Sequence, residues 1–426
     1  MEVAVLFISF FGLLLLGLPI ALTLGMSSLV YLFISGIPLT VVPQKMYSGI
    51  DSFVLLCVPG FILAGNLMNA GNITDQIIRF SNALVGHVRG GLGLANVAGS
   101  MLFGGVSGTA VADTASIGSV MIPGMARHGY DKPFAAAVTA ASSTIGPIIP
   151  PSLPMIIVGT LTGISVGQLF LAGAIPGLLL GLAMMVTCYL LALKRGYPRE
   201  PWAGFRNLLL AFRRASWAIF LTFLIIFGIV GGFFTPTEAS IIASLYALLV
   251  GMFVYRGLTW RELPQVLKAT GVTTAALMLL VGLANVFGWI LTSERIPQMI
   301  ADAILGISDN PLIVLLIINL LLLLVGSFME TIAALIILFP TLLKVATLVG
   351  VDPVHFGIIA VLNLMIGLTT PPVGVCLFVA SSIGRLPIAE VTRAIIPFIL
   401  TNILVLMAVT YIPALSLWLP GLFYGE

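Results

Sequence analysis

The chain has 426 residues, of which 60% are hydrophobic and 8% are charged, and its formal net charge is +3. This composition excludes an ordinary soluble globular protein, and apolar runs of about 18 or more residues recur from end to end, which indicates a helical protein that crosses the membrane many times. The apolar runs are continuous and not alternating, which argues against a large β-barrel, and no stretch resembles a nucleic-acid-binding patch.

Ten membrane spans are predicted, eight of them continuous and two interrupted. The first follows Glu2 instead of a basic segment and lacks a clear cleavage site, so we expect a retained span and not a signal peptide. The continuous spans lie near residues 3–18, 20–36, 53–70, 169–193, 216–234, 238–255, 270–291 and 395–419. The interrupted spans lie near residues 131–160 and 353–383.

Two further apolar stretches, residues 89–127 and 309–347, are each split by a cluster of small residues. Such a split predicts a helical hairpin that enters and leaves the membrane on one side, because small residues allow a tight reversal. Each hairpin follows an amphipathic connector, residues 72–88 and residues 292–308.

The distribution of basic residues supports this topology. Segment 194–215 holds six of the 18 Lys and Arg residues, and the positive-inside rule places it in the cytoplasm. Counting spans outward from this segment puts 15 of the 18 on the cytoplasmic side and leaves Lys45, Arg295 and Lys344 elsewhere. The count holds only if both hairpins are re-entrant, and it predicts that both termini are external.

Proline-rich stretches interrupt the two broken spans. Residues 144–154 read TIGPIIPPSLP, and residues 366–374 read IGLTTPPVG. Proline removes a backbone donor and clashes with the carbonyl one turn earlier, so several residues in each stretch should leave the helix. Freed carbonyl oxygens are tolerated only inside the protein or along a polar cavity, where they suit an alkali cation, while the N-terminus of the next half-helix suits an anion. A plain proline kink is the alternative.

The two halves of the chain share a sparse internal repeat. A shift of 221 residues aligns the two proline-rich stretches, and it also pairs Gly129 with Gly350 and Asp131 with Asp352. Each half contains five full crossings, an odd number, so the second half is predicted to be inverted relative to the first. Inverted repeats with interrupted helices at matching positions are typical of the binding sites of secondary transporters.

The hairpins contain two carboxylates, Asp113 and Glu330, in otherwise apolar surroundings. Intramembrane acids indicate a functional site, although either could merely cap a hairpin turn. Tight helix packing is the alternative reading of the small residues around them, and interhelical hydrogen bonding is the alternative for Asn363, which lies just before the second interruption. No nucleophile–base pair or metal-ligand cluster stands out, so no enzyme is expected, and a channel would not need two interrupted helices.

The segments GGVSGTAVADTASIGSVMIPGM, TIGPIIPPS and IGLTTPPVG resemble the large membrane (M) subunit, of the DctM type, of tripartite ATP-independent periplasmic (TRAP) transporters. The resemblance covers essentially the whole chain. It implies a sodium-driven importer of an organic anion, such as a C4-dicarboxylate, sialic acid or another sugar acid, in the bacterial inner membrane. It also implies two partners, a small four-helix membrane (Q) subunit and a periplasmic substrate-binding (P) protein. Na⁺ is the implied coupling ion, and no other cofactor is implied.

The same resemblance implies an all-α elevator architecture with two inverted-topology repeats, in which a transport domain moves against a scaffold. The scaffold would comprise residues 1–71 and 216–291, and the arm helices residues 72–88 and 292–308. The transport domain would comprise residues 89–193 and 309–426, with the basic cytoplasmic loop 194–215 between the halves.

Site residues are carried over by motif. One sodium site would be formed by Ser107, Thr109, Gly146, Ile149 and Pro151. A second would be formed by Gly326, Ser327, Met329, Gly367, Thr370 and Pro372. Residues that contact the substrate or support the sites would be Gly108, Asp113, Thr114, Ser152, Glu330, Thr331, Asn363 and Thr369.

The chain departs from the family pattern at two positions. Thr109 stands where a serine is common, and it still supplies a hydroxyl, whereas Pro154 stands where family members can carry a polar residue. Because of Pro154, the resemblance does not specify the identity of the substrate. The alternative function is a stand-alone ion-coupled di- or tricarboxylate carrier with the same architecture.

Overall fold

The computed structural model describes residues 2–202 and 204–425, apart from the side chains of Glu2 and residues 105–107. All regular structure in this part of the chain is helical. In chain order the α-helices are α1 (Glu2–Leu15), α2 (Ile20–Ile34), α3 (Val41–Ile50), α4 (Cys57–Ala70), α5 (Ile73–Val85), α6 (Gly91–Ser107), α7 (Ala110–Arg127), α8 (Lys132–Ser142), α9 (Leu153–Thr162), α10 (Val166–Arg195), α11 (Phe205–Val230), α12 (Pro236–Leu249), α13 (Leu263–Ser293), α14 (Ile296–Leu305), α15 (Pro311–Phe328), α16 (Thr331–Leu348), α17 (Pro353–Gly367), α18 (Val375–Gly384), α19 (Ile388–Tyr411) and α20 (Ala414–Tyr424).

Seven helices within the described residues are long and apolar enough to cross a membrane unaided: α10, α11, α12 with the π-helical turn that extends it to Val254, α13, α15, α16 and α19. An α-helix satisfies its own backbone hydrogen bonds, which is why it can stand in lipid. The prediction of a multi-pass helical membrane protein is therefore confirmed. The re-entrant topology of the hairpins, the inversion of the repeat and the domain division stay predictions.

Several regions differ from the predictions. Helix α11 begins at Phe205, within the stretch 194–215 predicted to be a loop. The span expected at residues 53–70 is the second arm of a bent pair, Val41–Ile50 with Val54–Ala70, whose axes differ by 72°. The span expected at residues 395–419 divides into α19 and the separate α20. Proline at position 413 causes this division, because the residue before a proline is pushed out of the helical region, and Ile412 takes φ −121° and ψ 83°.

Both interrupted helices lose their α-helical backbone at the proline pairs. Helix α8 ends at Ser142 and α9 begins at Leu153, whereas α17 ends at Gly367 and α18 begins at Val375. The Pro150–Pro151 and Pro371–Pro372 peptide bonds are both cis.

Other backbone features recur at equivalent places in the two halves. The amphipathic helices α5 and α14 are each preceded by a residue in the left-handed region, Asn72 with φ 58° and Arg295 with φ 56°. The turns before α8 and α17 each contain a glycine with φ 83°, Gly129 and Gly350.

The interrupted helices occupy the centre of the molecule. All residues of α8 from Phe134 onward and all residues of α17 from His355 onward are buried. Around them, helices from one half pack on helices from the other: α7 packs on α18, and α16 packs on α9. The first hairpin therefore lies against the second interrupted helix and the second hairpin lies against the first, which brings both interruptions into one packed unit.

Candidate functional site: two hairpin tips and two interrupted helices

In each half, a hairpin glycine touches the glycine that precedes the proline pair. A Cβ on Gly104 would overlap the Cα of Gly146, and a Cβ on Gly146 would lie 3.0 Å from the Cα of Gly104. In the second half, a Cβ on Gly326 would lie 3.2 Å from the Cα of Gly367. Backbone meets backbone at both places, a contact that only glycine allows.

The tip of the first hairpin also reaches the far side of the interruption. Gly108 takes φ 61°, and a Cβ there would lie 3.5 Å from the carbonyl oxygen of Pro151. Thr109 then caps α7 by accepting a hydrogen bond from the Ala112 N–H at 3.4 Å. The predicted sodium ligand Ser107 ends α6, but its side chain lies outside the described residues.

Ser152 holds the first interruption together. Its hydroxyl donates to the carbonyl oxygen of Pro147 and accepts from the Met155 N–H at 3.3 Å, so the same oxygen caps α9. The side chain is fully buried. These contacts identify Ser152 as a residue that shapes the interruption.

The first interruption contains carbonyl oxygens without a hydrogen bond from the described residues. No described N–H or hydroxyl group donates to the carbonyl oxygens of Gly146, Ile149 or Pro151. The surrounding residues 143–152 are buried apart from the half-buried Ile149. Buried backbone oxygens are normally paired, so these three unpaired ones are unusual.

The second interruption is tied to its hairpin by backbone hydrogen bonds. The Gly374 N–H donates to the carbonyl oxygen of Ser327 at 3.3 Å, and the Cys376 N–H donates across the interruption to Leu368 at 3.1 Å. These bonds fix the N-terminus of α18 beside the tip between α15 and α16.

Hydroxyls and free carbonyls also converge at the second interruption. Thr369 and Thr370 both donate their hydroxyls to the carbonyl oxygen of Ile366 at 2.8 Å, which leaves their oxygen lone pairs available. The carbonyl oxygens here that receive no hydrogen bond from described residues include those of Gly326, Met329, Thr370 and Pro372.

The two interruptions differ in their accessibility. Pro150 and Pro151 are buried, whereas Pro371 and Pro372 are exposed and Thr370 is half-buried. The second interruption therefore reaches the surface of this chain, and the first is enclosed.

Glu330 acts as a helix cap. One of its carboxylate oxygens, Oε2, accepts hydrogen bonds from the Ile332 N–H at 2.9 Å and the Ala333 N–H at 3.2 Å at the start of α16. A carboxylate in this position also interacts favourably with the helix dipole.

Asp113 does not have the equivalent role. It lies in the first turn of α7 and is fully buried, and neither of its carboxylate oxygens forms a hydrogen bond of good geometry with a described residue, although the hydroxyls of Ser100 and Ser143 lie close to it. Its Oδ2 lies 3.7 Å from the position that a Cβ on Gly146 would take. A buried carboxylate without a well-formed hydrogen bond is costly, and here it lies beside the glycine contact of the first interruption.

The neighbouring threonines also differ. Thr114 donates its hydroxyl to the carbonyl oxygen of Ala110 at 2.9 Å on its own helix. The Thr331 hydroxyl is buried, and no described residue is within hydrogen-bond reach of it.

A buried polar network joins the first hairpin to α8. The Asn96 side chain donates to Thr139 at 2.6 Å and accepts from Ser142 at 3.3 Å, and Ser142 in turn lies 3.0 Å from Ser100, oxygen to oxygen. Ser100 and Ser142 are functional candidates that the sequence motifs did not indicate. The available signal was the presence of hydroxyls in apolar helices three or four residues from other polar positions.

Asn363 belongs to a similar network in the second half. Its amide donates to the side-chain oxygen of Asn319 at 2.7 Å, and Asn319 donates to the Thr410 hydroxyl at 3.0 Å. His355 continues the network, because its Nε2 is 3.3 Å from the carbonyl oxygen of Thr410 and its Nδ1 is 2.5 Å from the Ser416 hydroxyl. The amide of Asn363 thus makes interhelical hydrogen bonds, whereas its own oxygen has no partner among the described residues.

Comparison with known proteins identifies the family that shares this arrangement. A family model described as "Tripartite ATP-independent periplasmic transporter, DctM component" matches residues 7–415. The chain is 46% identical to the sialic acid TRAP transporter large permease protein SiaM of Vibrio cholerae, over 97% of each chain. It is 38% identical to the C4-dicarboxylate TRAP transporter large permease protein DctM of the same species, over 100% of this chain and 99% of that one.

Two further matches extend the comparison. The chain is 41% identical to the isethionate TRAP transporter permease protein DctMQ of Oleidesulfovibrio alaskensis, over 96% of this chain and 65% of the longer relative. Among solved structures, the YdaH transporter of Alcanivorax borkumensis superposes with a TM-score of 0.63 over 96% of this chain and 97% of that one, at 16% identity. The last match concerns the fold alone.

Proposed function

This chain belongs to the DctM component family of the tripartite ATP-independent periplasmic transporters, and we propose that it is the transport-forming subunit of a sodium-coupled importer of an organic anion. Members of this family are transporters and not enzymes, and they work with a small membrane subunit and a periplasmic binding protein.

One observation carries the sodium proposal: both interrupted helices present unpaired carbonyl oxygens where a hairpin glycine touches their backbone. Carbonyl and hydroxyl oxygens are hard ligands that suit an alkali cation. The first ion would bind to the carbonyl oxygens of Gly146, Ile149 and Pro151 and to the hydroxyls of Ser107 and Thr109. The carboxylate of Asp113 would compensate the charge of this ion, and the buried carboxylate would thereby gain a favourable interaction.

The second ion would bind between the tip of the second hairpin and the second interruption. Its ligands would be drawn from the carbonyl oxygens of Gly326, Met329, Thr370 and Pro372, which receive no hydrogen bond from described residues. Gly367 and Ser327 would shape the site through the glycine contact and the bond to Gly374. The exposed proline pair would give this ion the shorter route to water.

The substrate would lie between the two hairpin tips. Helices α7, α9, α16 and α18 all begin at a tip or an interruption, and helix N-termini favour anions. The relatives' names specify sialic acid, C4-dicarboxylate and isethionate, all of which are anions with a carboxylate or sulfonate group. We infer an organic acid of this kind for the present chain.

The motion we propose is an elevator movement of the hairpins and interrupted helices against α1–α4 and α11–α13. Support comes from the recurring backbone features of the two halves and from the packing between the halves that joins both interruptions into one unit. The two halves would then be inverted repeats in a bacterial inner membrane, with both termini on the periplasmic side.

Uptake by a reconstituted complex tests the function. Proteoliposomes holding this chain and its small membrane subunit should accumulate a labelled organic acid only under an inward sodium gradient and only when the periplasmic binding protein is added. A potassium gradient of the same size is the control. Equal uptake under both gradients would refute sodium coupling, and uptake without the binding protein would favour the stand-alone carrier.

A further inference from the structure

A basic cavity lies outside the proposed transport site, between α5 and α11. Its volume is about 550 Å³, and it extends to the turn that follows α12. Gln76 lines it from α5, Arg213, Arg214 and Trp217 line it from α11, and Tyr255 lines it from the turn.

The cavity carries uncompensated positive charge. Arg213 and Arg214 both line it, no acidic residue does, and neither arginine forms a salt bridge with a described residue. Two guanidinium groups beside a neutral amide form a donor set that suits an oxyanion, because a guanidinium can bind a phosphate with two parallel N–H bonds.

Aromatic residues of the type found at the level of lipid headgroups surround the cavity. The Tyr246 hydroxyl donates to the carbonyl oxygen of Trp217 at 2.8 Å, and the Tyr255 hydroxyl donates to the carbonyl oxygen of Arg214. Tyr and Trp concentrate at membrane interfaces, and the basic segment that leads into α11 is the one predicted to be cytoplasmic. The apolar side chains of Leu210 and Val254 complete the wall.

We propose that this cavity binds the phosphate of an anionic phospholipid from the cytoplasmic leaflet. Basic pockets between helices on this side of a membrane protein suit lipid headgroups. Free inorganic phosphate offers the same oxyanion, but it has no apolar part to contact Leu210, Val254 and Trp217, which are all exposed on this chain. The combination of two arginines with apolar walls therefore favours the lipid.

The lipid would join two parts of the molecule. Helix α5 is the first amphipathic connector, and α11 begins the second half of the chain. The two helices already meet at Phe80 and Phe212, whose ring centroids are 5.6 Å apart. A phosphate held by Arg213 and Arg214 beside Gln76 would strengthen this junction.

Lipid binding by the purified complex tests the proposal without reference to transport. The full chain with its small membrane subunit is titrated with phosphatidylglycerol, cardiolipin, phosphatidylcholine or inorganic phosphate, and bound lipid is counted by native mass spectrometry. The variant is Arg213→Gln with Arg214→Gln. The matched control is Arg199→Gln with Arg206→Gln, which removes the same charge from the same basic segment outside the cavity.

We expect the cavity variant to bind both anionic lipids about tenfold or more weakly than the control, because each arginine near a lipid headgroup strengthens binding about fivefold. If this variant does not fold, Arg213→Lys with Arg214→Lys replaces it in the test. The lysines keep the charge but cannot form the paired N–H bonds, so this variant should bind the anionic lipids less tightly than wild type. Equal binding by cavity and control variants overturns the proposal. Displacement of the lipid by inorganic phosphate also overturns the proposal. Lipid binding that occurs only without the small subunit overturns it as well, because the small subunit would then cover the cavity.

Discussion

The contact between Gly104 and Gly146 gives the sharpest test of the site. In Gly104→Ala, the new Cβ would overlap the Cα of Gly146, and no side-chain rotation can relieve a clash with backbone. Either the hairpin tip must move away from the interruption, or the interruption must deform. Both changes would alter the spacing between the hairpin oxygens and the carbonyl oxygens of the proposed first sodium site.

Overpacking of this kind costs about 1–3 kcal/mol, which outweighs the roughly 1 kcal/mol that alanine gains over glycine in a helix. If about 1.4 kcal/mol of that cost falls on the sodium-bound state, the apparent affinity for sodium drops about tenfold. The matched control is Gly99→Ala on the same helix, where the nearest atom to the new Cβ would be 3.8 Å away. The control has the helix propensity gain without the clash.

Thermal unfolding of the purified complex at increasing sodium concentration measures the effect. A ligand that binds only the folded state stabilises it by about 2.7 kcal/mol at 100 times its Kd, so the wild type and Gly99→Ala should show a sodium-dependent rise in Tm. Gly104→Ala should need about ten times more sodium for the same rise. If Gly104→Ala and Gly99→Ala respond to sodium alike, the first sodium site does not lie at this contact.

Substitutions at four other positions test the surroundings. Ser152→Ala removes both the α9 cap and the hydrogen bond to Pro147, and it should lower the free energy of unfolding by about 0.5–2 kcal/mol. Thermal unfolding measures this effect, and an unchanged Tm would contradict the role given to the Ser152 hydroxyl. In sodium-free buffer Asp113→Asn should be no less stable than wild type, because it removes a fully buried charge. Glu330→Gln should be less stable, because it weakens a charged helix cap, and the reverse order of Tm values would be inconsistent with these contacts. Asn363→Ala should lower the free energy of unfolding by about 1–3 kcal/mol, because it leaves the buried side chain of Asn319 unpaired. Asn363→Leu, which also cannot form the hydrogen bond, is the control for the change in side-chain size.

Local chemistry in the sequence was sufficient to predict the class of fold and the places where helices are interrupted. Proline lacks the backbone donor wherever it stands, so the pairs at 150–151 and 371–372 indicate broken helices before any packing is known. Long apolar runs similarly require helices in lipid, whatever their neighbours.

The roles of individual side chains depended on contacts that the sequence does not contain. Asp113 and Glu330 both lie just past a hairpin tip, yet Asp113 is fully buried in the first turn of α7, whereas Glu330 caps α16. Gly104 differs from Gly99 only in what lies across from it. Such differences arise from residues that are tens to hundreds of positions away along the chain, and so only the tertiary structure decides them, because it alone determines which backbone a glycine touches and which donor a carboxylate can reach.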